Sequence, residues 1–293
     1  MSTSLWVNGD LVPAAEARIS ALDAGFRSGL GVFETLRVDH GRAFRLSAHL
    51  ARLAAGARAL GFELRTGALS RGVAATVTAN SHLGVHLALR ITCSPGPLDP
   101  HGPFPGVPSG RATMVITVQP TPPPSPAPEA ATARSTDLRR EVAGTKHTSY
   151  LVSLLAQQAA AAAGCTDGLL TTPSGAPLEA ATANLFVVVD GAVLTPPPGA
   201  GILPGITRGA VLELARTAGV AVEERHLTGA QLTGADEAFL TSAVRGVRAL
   251  TAVDGRAIGG GAPGPVTSQL ATAHRTLVEG EAEPVVVSRS AGG

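Results

Sequence analysis

The feature that most limits how this chain can fold is the run Gln119-Pro120-Thr121-Pro122-Pro123-Pro124-Ser125-Pro126-Ala127-Pro128. Proline lacks a backbone N–H and fixes φ, so the stretch extends neither a sheet nor a helix and favours an extended polyproline form. A chain of 293 residues that is 44% hydrophobic has enough apolar surface for a core on each side of such a break. The predicted division is therefore an N-terminal domain at 1–120, a linker at 121–129 and a C-terminal domain at 130–293.

Before the break, short strands and turns alternate. Leu5-Trp6-Val7, Asn8-Gly9-Asp10 and Leu11-Val12 read as a tight hairpin. Val32 to Val38 alternates like a half-buried strand that Asp39-His40-Gly41 turns back through Ala43-Phe44-Arg45. Ser47 is a candidate cap for a helix with Leu46, Leu50, Leu53, Ala57 and Leu60 on one face, ended by Gly61. A second helix is expected within Leu69 to Ala79, then strands at Val85 to Thr92 and Ala112 to Val118. After the break, an alanine-rich helix is expected at Ser149 to Ala163. Strands follow at Gly168 to Thr172 and Leu185 to Val189, in a sheet of hairpins. Thr207 opens a further helix, Ala238 to Thr241 reads as a strand, and Asp254-Gly255 as a hairpin turn.

The charges exclude some functions. With 23 basic and 22 acidic residues the formal net charge is +1, so no bulk field attracts nucleic acid or an anionic membrane. No window approaches the roughly 18 to 20 apolar residues of a membrane span. The first residues carry neither a basic n-region nor an apolar h-region, and a cytoplasmic protein is expected. Cys93 and Cys165 make no disulfide framework and no metal spacing, and both read as small core or boundary residues.

Of the 23 basic side chains, 22 are arginine and one, Lys146, is lysine. Arginine never supplies a neutral amine, so a lysine that survives such a bias points to amine chemistry. Lys146 stands in Gly144-Thr145-Lys146-His147-Thr148-Ser149-Tyr150, where a desolvated amine could hold a carbonyl cofactor covalently. Gly205-Ile206-Thr207-Arg208 is a helix start whose backbone N–H groups and Thr207 hydroxyl would cradle a phosphate. Glu179 precedes a small-residue stretch ending in Asn184-Leu185-Phe186. Lysine, phosphate cradle and carboxylate together describe a pyridoxal phosphate site.

These residues carry a resemblance. Val32-Phe33-Glu34-Thr35-Leu36-Arg37, His49-Leu50-Ala51-Arg52-Leu53, Thr145-Lys146, Glu179 through Phe186, and Leu203 to Arg208 resemble, in order and spacing, the class IV aminotransferase family of pyridoxal phosphate fold type IV. Ala235 to Ser242 and Val253-Asp254-Gly255 continue the likeness, which spans roughly residues 5 to 275. It implies an α/β (α+β) protein with a small N-terminal α/β domain and a larger, cofactor-binding C-terminal pseudo-barrel domain. It also implies a homodimer acting on a small-molecule amino substrate. By the same resemblance Lys146 would bind pyridoxal 5'-phosphate and shuttle the proton, while Glu179 would face the pyridine nitrogen. Arg52, Ile206, Thr207 and Ser242 would hold the phosphate, and Tyr150 would meet the ring hydroxyl. His49 is expected to pack or cap.

Within the family, the resemblance leans toward the 4-amino-4-deoxychorismate lyases, which form 4-aminobenzoate and pyruvate. The alternative is a branched-chain or D-amino-acid aminotransferase working by ping-pong transamination. Thr35 follows the Phe-Glu pair, where branched-chain enzymes usually have glycine. Phe33 stands where D-amino-acid enzymes have tyrosine. The loop after the strand containing Arg90 offers His101 but no arginine for a substrate carboxylate. Ala243 and the run into Arg245 are similar to the lyase branch, and Arg245 or Arg248 could receive a substrate carboxylate. Substrate contacts are thus expected from Phe33, Thr35, Arg90, His101 and Arg245, and no metal is expected.

Overall fold

Asn8 and Gly9, with φ of 55° and 127°, turn β1 (Ser4–Val7) back onto β2 (Asp10–Pro13). A short helix α1 (Ala24–Ser28) follows, its first turn capped by Asp23. Then come β3 (Val32–Asp39), β4 (Arg42–Ala43), helices α2 (Leu46–Ala59) and α3 (Thr66–Ala79), and strands β5 (His86–Ser94) and β6 (Thr113–Pro120). The computed structural model describes residues 2–101, 108, 110–138 and 144–285. These form two compact units: the first holds the described residues of Met1–Pro123, Thr145–Ser149 and Glu281–Gly293, and the second those of Pro124–Gly144 and Tyr150–Gly280.

The first unit is an antiparallel sheet in the order Glu283–Pro284, β4, β3, β5, β6, β1, β2. Alternation puts Val32, Leu36 and Val38, with Leu87, Leu89, Ile91 and Ile116, on the face covered by α2 and α3. There they meet Leu50, Leu53, Ala57, Leu69, Val73 and Val77. Gly72 of α3 lets Trp6 and Ile116 come close, since a Cβ there would lie 2.7 Å from the indole. Ser47 does not cap α2: Leu46 is already helical and 8% exposed, and Arg45, at φ 49°, precedes it without a side-chain cap. Burial of Leu46 starts the helix at 46, two residues earlier than a cap at Ser47 predicts.

The second unit continues with β7 (Ala130–Thr136), α4 (Leu151–Ala162), β8 (Asp167–Thr171), β9 (Pro177–Ala180), β10 (Ala183–Val189) and β11 (Ala192–Thr195). After these come α5 (Ile206–Thr217), β12 (Val222–Glu224), α6 (Gly229–Thr233), β13 (Glu237–Ser242), β14 (Gly246–Val253), β15 (Arg256–Ala257) and α7 (Pro265–Glu281). Its strands run in the order β12, β11, β10, β13, β14, β7, β8, β9, and β9 pairs again with β10, which closes a six-stranded ring. One core contains Ala131, Ala133, Leu169, Leu185, Val187, Leu240 and Leu250. Another packs α5 and α7 on Phe186 and Phe239, whose rings stack at 4.7 Å. The sheet is not made of hairpins alone as expected: β7–β8, β7–β14 and β11–β12 are parallel pairs. No described helix is long and apolar enough to cross a membrane.

The grouping of Thr145–Ser149 with the first unit differs from the linear division at the proline run, which left these residues in the C-terminal domain. The cause is local: their backbone pairs with the segment entering β3.

Candidate active site

In the first unit, Lys146 lies on a ribbon antiparallel to the start of β3. The Phe33 N–H donates to Lys146 O at 2.9 Å and the Thr148 N–H to Gly31 O at 2.8 Å, with a bridge between Val32 and His147. The Thr148 hydroxyl donates to Gly29 O at 2.7 Å. Gly31 permits this approach, because a Cβ there would sit 2.7 Å from Cys93 O and 2.9 Å from Thr148 Oγ1. Lys146 Nζ is held 4.6 Å from the centroid of the Phe33 ring, and the Arg90 guanidinium carbon lies 3.6 Å from the same centroid. Two cations on one aromatic ring make a paired cation–π arrangement. The register of β3 and β5 sets Thr35 opposite Arg90 and Phe33 opposite Thr92, so Phe33, Thr35 and Arg90 share the face turned away from α2 and α3. Sequence reasoning named these three with Lys146, and the fold brings them together.

On the covered face, Glu34 is fully buried. Its Oε1 accepts from Arg52 Nε at 2.6 Å, and its Oε2 accepts from Arg52 Nη2 and from His49 Nδ1, each at 2.8 Å. Burial alone raises this carboxyl. The hydrogen bonds from His49 and Arg52, with the Arg52 charge, overcome that effect and hold it at about 2, down from 4.5. Arg52 and His49 stand three residues apart on α2 and so project on one side of the helix. Glu34 and His49 were not read as site residues. The available signal was an acid at a position whose neighbours 32, 36 and 38 all face the core.

His101 is exposed, and its N–H donates to Asp99 Oδ1 at 2.9 Å. Cys93 is a core thiol that burial pushes up to about 12, as its small-residue reading expects.

In the second unit, β9 carries Glu179 into a site where it is 3% exposed. Its Oε2 accepts from Asn184 Nδ2 and from the Leu203 N–H, both at 3.1 Å, which fixes the carboxylate plane. Asn184 also donates to Leu203 O at 2.8 Å. Helix α5 starts at Ile206 after Gly205, with no side chain capping its first turn. A Cβ on Gly205 would lie 2.1 Å from Asn184 Oδ1, so only glycine fits. Thr207, in that first turn, is 3% exposed. Thr241, opposite Asn184 in the β10–β13 register, is buried with its Oγ1 unpartnered among the described residues. Ser242 lies at the end of β13, where its Oγ accepts from the Arg245 N–H at 3.4 Å. Tyr150 precedes α4 as its N-cap residue without a side-chain cap bond. Arg245 is exposed. Arg248 is not a substrate group: it is 3% exposed and bonded to Asp167 Oδ1 at 2.7 Å, a core ion pair. Its place on β14 next to buried Val247 and Ala249 explains the difference.

Taken unit by unit, the donor types suit the parts of pyridoxal phosphate. An uncapped helix start offers N–H groups and a positive dipole end to a phosphate. A buried, oriented carboxylate suits a protonated ring nitrogen, and a lysine amine suits an aldehyde.

The family model for class IV amino-transferases matches residues 31–253. Among curated relatives, the chain is 30% identical over 281 residues to the D-alanine aminotransferase of Bacillus licheniformis, covering 95% of this chain and 98% of that one. It is 28% identical over 292 residues to branched-chain-amino-acid aminotransferase-like protein 2 of Arabidopsis thaliana, and there it spans about half, 51%, of the relative's length. Among solved structures, the branched-chain aminotransferase of Thermoproteus uzoniensis with norvaline superposes with a TM-score of 0.88 at 29% identity, covering 97% of this chain and all of that one. The branched-chain enzyme of Thermobaculum terrenum, solved in its PLP-form, gives 0.84 at 27% identity, covering 98% of this chain and 99% of that one. The two-domain fold with a pseudo-barrel, expected from the resemblance, is the one found. A chain that matches the family model over most of its length, and whose backbone follows solved members nearly end to end, belongs to the class IV aminotransferases.

Proposed function

We propose that this chain is a pyridoxal 5'-phosphate-dependent amino-acid aminotransferase that passes an amino group from an amino acid to a 2-oxo acid and works as a homodimer. One observation carries the reading: its near full-length likeness to an enzyme named D-alanine aminotransferase and to solved enzymes named branched-chain aminotransferases. The lean toward the lyase draws on Thr35, Phe33, the arginine-free loop carrying His101, and Ala243 with the run into Arg245. With Arg248 locked to Asp167, that run keeps only exposed Arg245 as a carboxylate receiver. The dimer is supported by Leu151, Leu154 and Leu155 of α4, which leave 65%, 52% and 40% of their surface exposed on one helix.

When bound, the cofactor supplies an electron-accepting ring that stabilises negative charge on the carbon losing a proton. Lys146 Nζ would hold the aldehyde and serve as the group that takes up and returns the substrate proton. Glu179 would keep a proton on the ring nitrogen. The N–H groups of Ile206 and Thr207, the Thr207 and Ser242 hydroxyls and Arg52 would hold the phosphate, and Tyr150 would meet the ring hydroxyl. Arg90, stacked on Phe33 beside Thr35, faces the substrate carboxylates.

The test is spectroscopic. Addition of D-alanine or of L-valine, leucine or isoleucine to the yellow holoenzyme is expected to bleach its visible band, and a 2-oxo acid to restore it. Release of pyruvate and 4-aminobenzoate from aminodeoxychorismate, more efficiently and with no oxo acid present, would assign the lyase reaction instead. Borohydride reduction followed by digestion is expected to leave the cofactor on the Lys146 peptide, and Lys146→Ala to abolish turnover in a folded protein.

A further inference from the structure

We infer that Glu34 is a positioning residue for the cofactor phosphate: its carboxylate clamps the Arg52 guanidinium between β3 and α2, with His49 as the clamp's second anchor. The inference rests on the reading of Arg52 as a phosphate contact.

Glu34 occupies a position on β3 whose neighbours on the same face, Val32, Leu36 and Val38, are core residues. An apolar side chain would be at home there. Exchanging a buried ion pair for apolar groups of similar volume is often neutral or stabilising, so packing does not explain a carboxylate at this place. What the carboxylate does is geometric. Arg52 Nε and Nη2 meet its two oxygens at 2.6 and 2.8 Å, the parallel two-bond contact that fixes the guanidinium plane as well as its position. The contact sets the guanidinium plane before any anion is met.

His49 strengthens the clamp. An ionised carboxylate only accepts, so Nδ1 of His49 carries the hydrogen of the 2.8 Å bond to Oε2. Glu34 is thus held on one side by a histidine that is 1% exposed and on the other by an arginine whose side chain keeps 15% of its surface exposed. The rigid end of the triad lies in the core, and its least covered member is the cation. The cations on the β3 and β5 strands, Arg37 and Arg90, lie on the opposite face, with Arg90 stacked on Phe33. They therefore do not substitute for Arg52.

The experiment compares binding of pyridoxal 5'-phosphate and of pyridoxal, which lacks the phosphate, to the full-length protein stripped of cofactor. Fold stability is followed in parallel. Glu34→Gln keeps size and removes the charge. It is expected to lower the preference for the phosphorylated form about tenfold or more while binding of pyridoxal stays within about twofold of wild type, the signature of a lost charge-assisted contact. Arg52→Ala is expected to lower the preference at least as far, and the double variant no further than Arg52→Ala alone, because the two act as one unit. Should Glu34→Gln fail to fold, Arg52→Lys serves instead: it keeps the charge, cannot make the two-bond contact, and is expected to lose most of the preference. A Glu34→Gln protein that is merely less stable, with the preference intact, overturns the inference and leaves the Arg52 reading standing. An Arg52→Ala protein with the preference intact overturns both.

Discussion

Replacing Gly72 by alanine sets two effects of known size against each other. Gly72 sits inside α3, where alanine is favoured over glycine by about 1 kcal/mol. The added Cβ would lie 2.7 and 2.9 Å from two indole carbons of Trp6 and 2.8 Å from Ile116 Cδ1, closer than real contacts allow. Trp6 is 5% exposed and Ile116 fully buried, so neither has room to move aside. Overpacking of this kind costs about 1–3 kcal/mol, and the net loss is expected near about 1 kcal/mol. Trp6 is the chain's one tryptophan, so urea unfolding followed by its fluorescence reports on this packing directly. The control is Gly209→Ala in α5, where a new Cβ meets nothing within 4 Å. It is expected to raise stability by up to about 1 kcal/mol. If Gly72→Ala gains stability as Gly209→Ala does, the packing of α3 on β1 and β6 is not as described and the reasoning fails.

Two further outcomes follow from the buried charges. Asp167→Asn leaves the Arg248 guanidinium buried without its counter-charge and is expected to cost about 3–5 kcal/mol in chemical denaturation, while joint replacement of both by apolar residues recovers most of it; a loss under about 1 kcal/mol for Asp167→Asn would contradict the pairing. Glu34 has its folded value lowered from 4.5 to about 2. Its contribution is therefore fully present above the unfolded value and lost as pH falls from 4.5 toward about 2, on the order of 3 kcal/mol. Acid unfolding of Glu34→Gln is expected to show a correspondingly flatter pH dependence, and equal slopes for the two proteins would sink this assignment.

Much of the chain could be read from local pattern because local physics decides it. The alternation from Val32 to Val38 gives β3, the Leu46 to Leu60 spacing gives α2, and Asn8-Gly9 gives the first turn. Other elements are decided by distant partners. Strand β7 reads Ala-Ala-Thr-Ala-Arg-Ser-Thr, with no large apolar residue to announce it, because Ala131 and Ala133 pack in the ring core, where small side chains fit. Helix α7 is capped by the side chain of Glu237, which accepts from the Val266 and Thr267 N–H groups at 2.9 and 2.7 Å. A cap supplied from another strand leaves no mark beside the helix it starts. The same holds for the site. The lone lysine and the Gly205 helix start are visible as types in a row. That Arg248 belongs to Asp167, 81 residues away, and that Glu34 clamps Arg52, required the folded chain.

The Lys146 ribbon has a consequence for anyone cutting or recombining this chain. A fragment ending at the proline run would carry the first sheet without its lysine and without Glu283–Pro284, which pairs with β4 from the far end of the sequence. The chain passes from the first unit to the second and returns twice, once for the five residues Thr145–Ser149 and once for the described residues from Glu281 onward. Exchanging the first unit with that of a relative therefore demands three inserts spliced in register. A single crossover at the proline run would yield a hybrid whose Lys146 comes from one parent and whose supporting strand comes from the other.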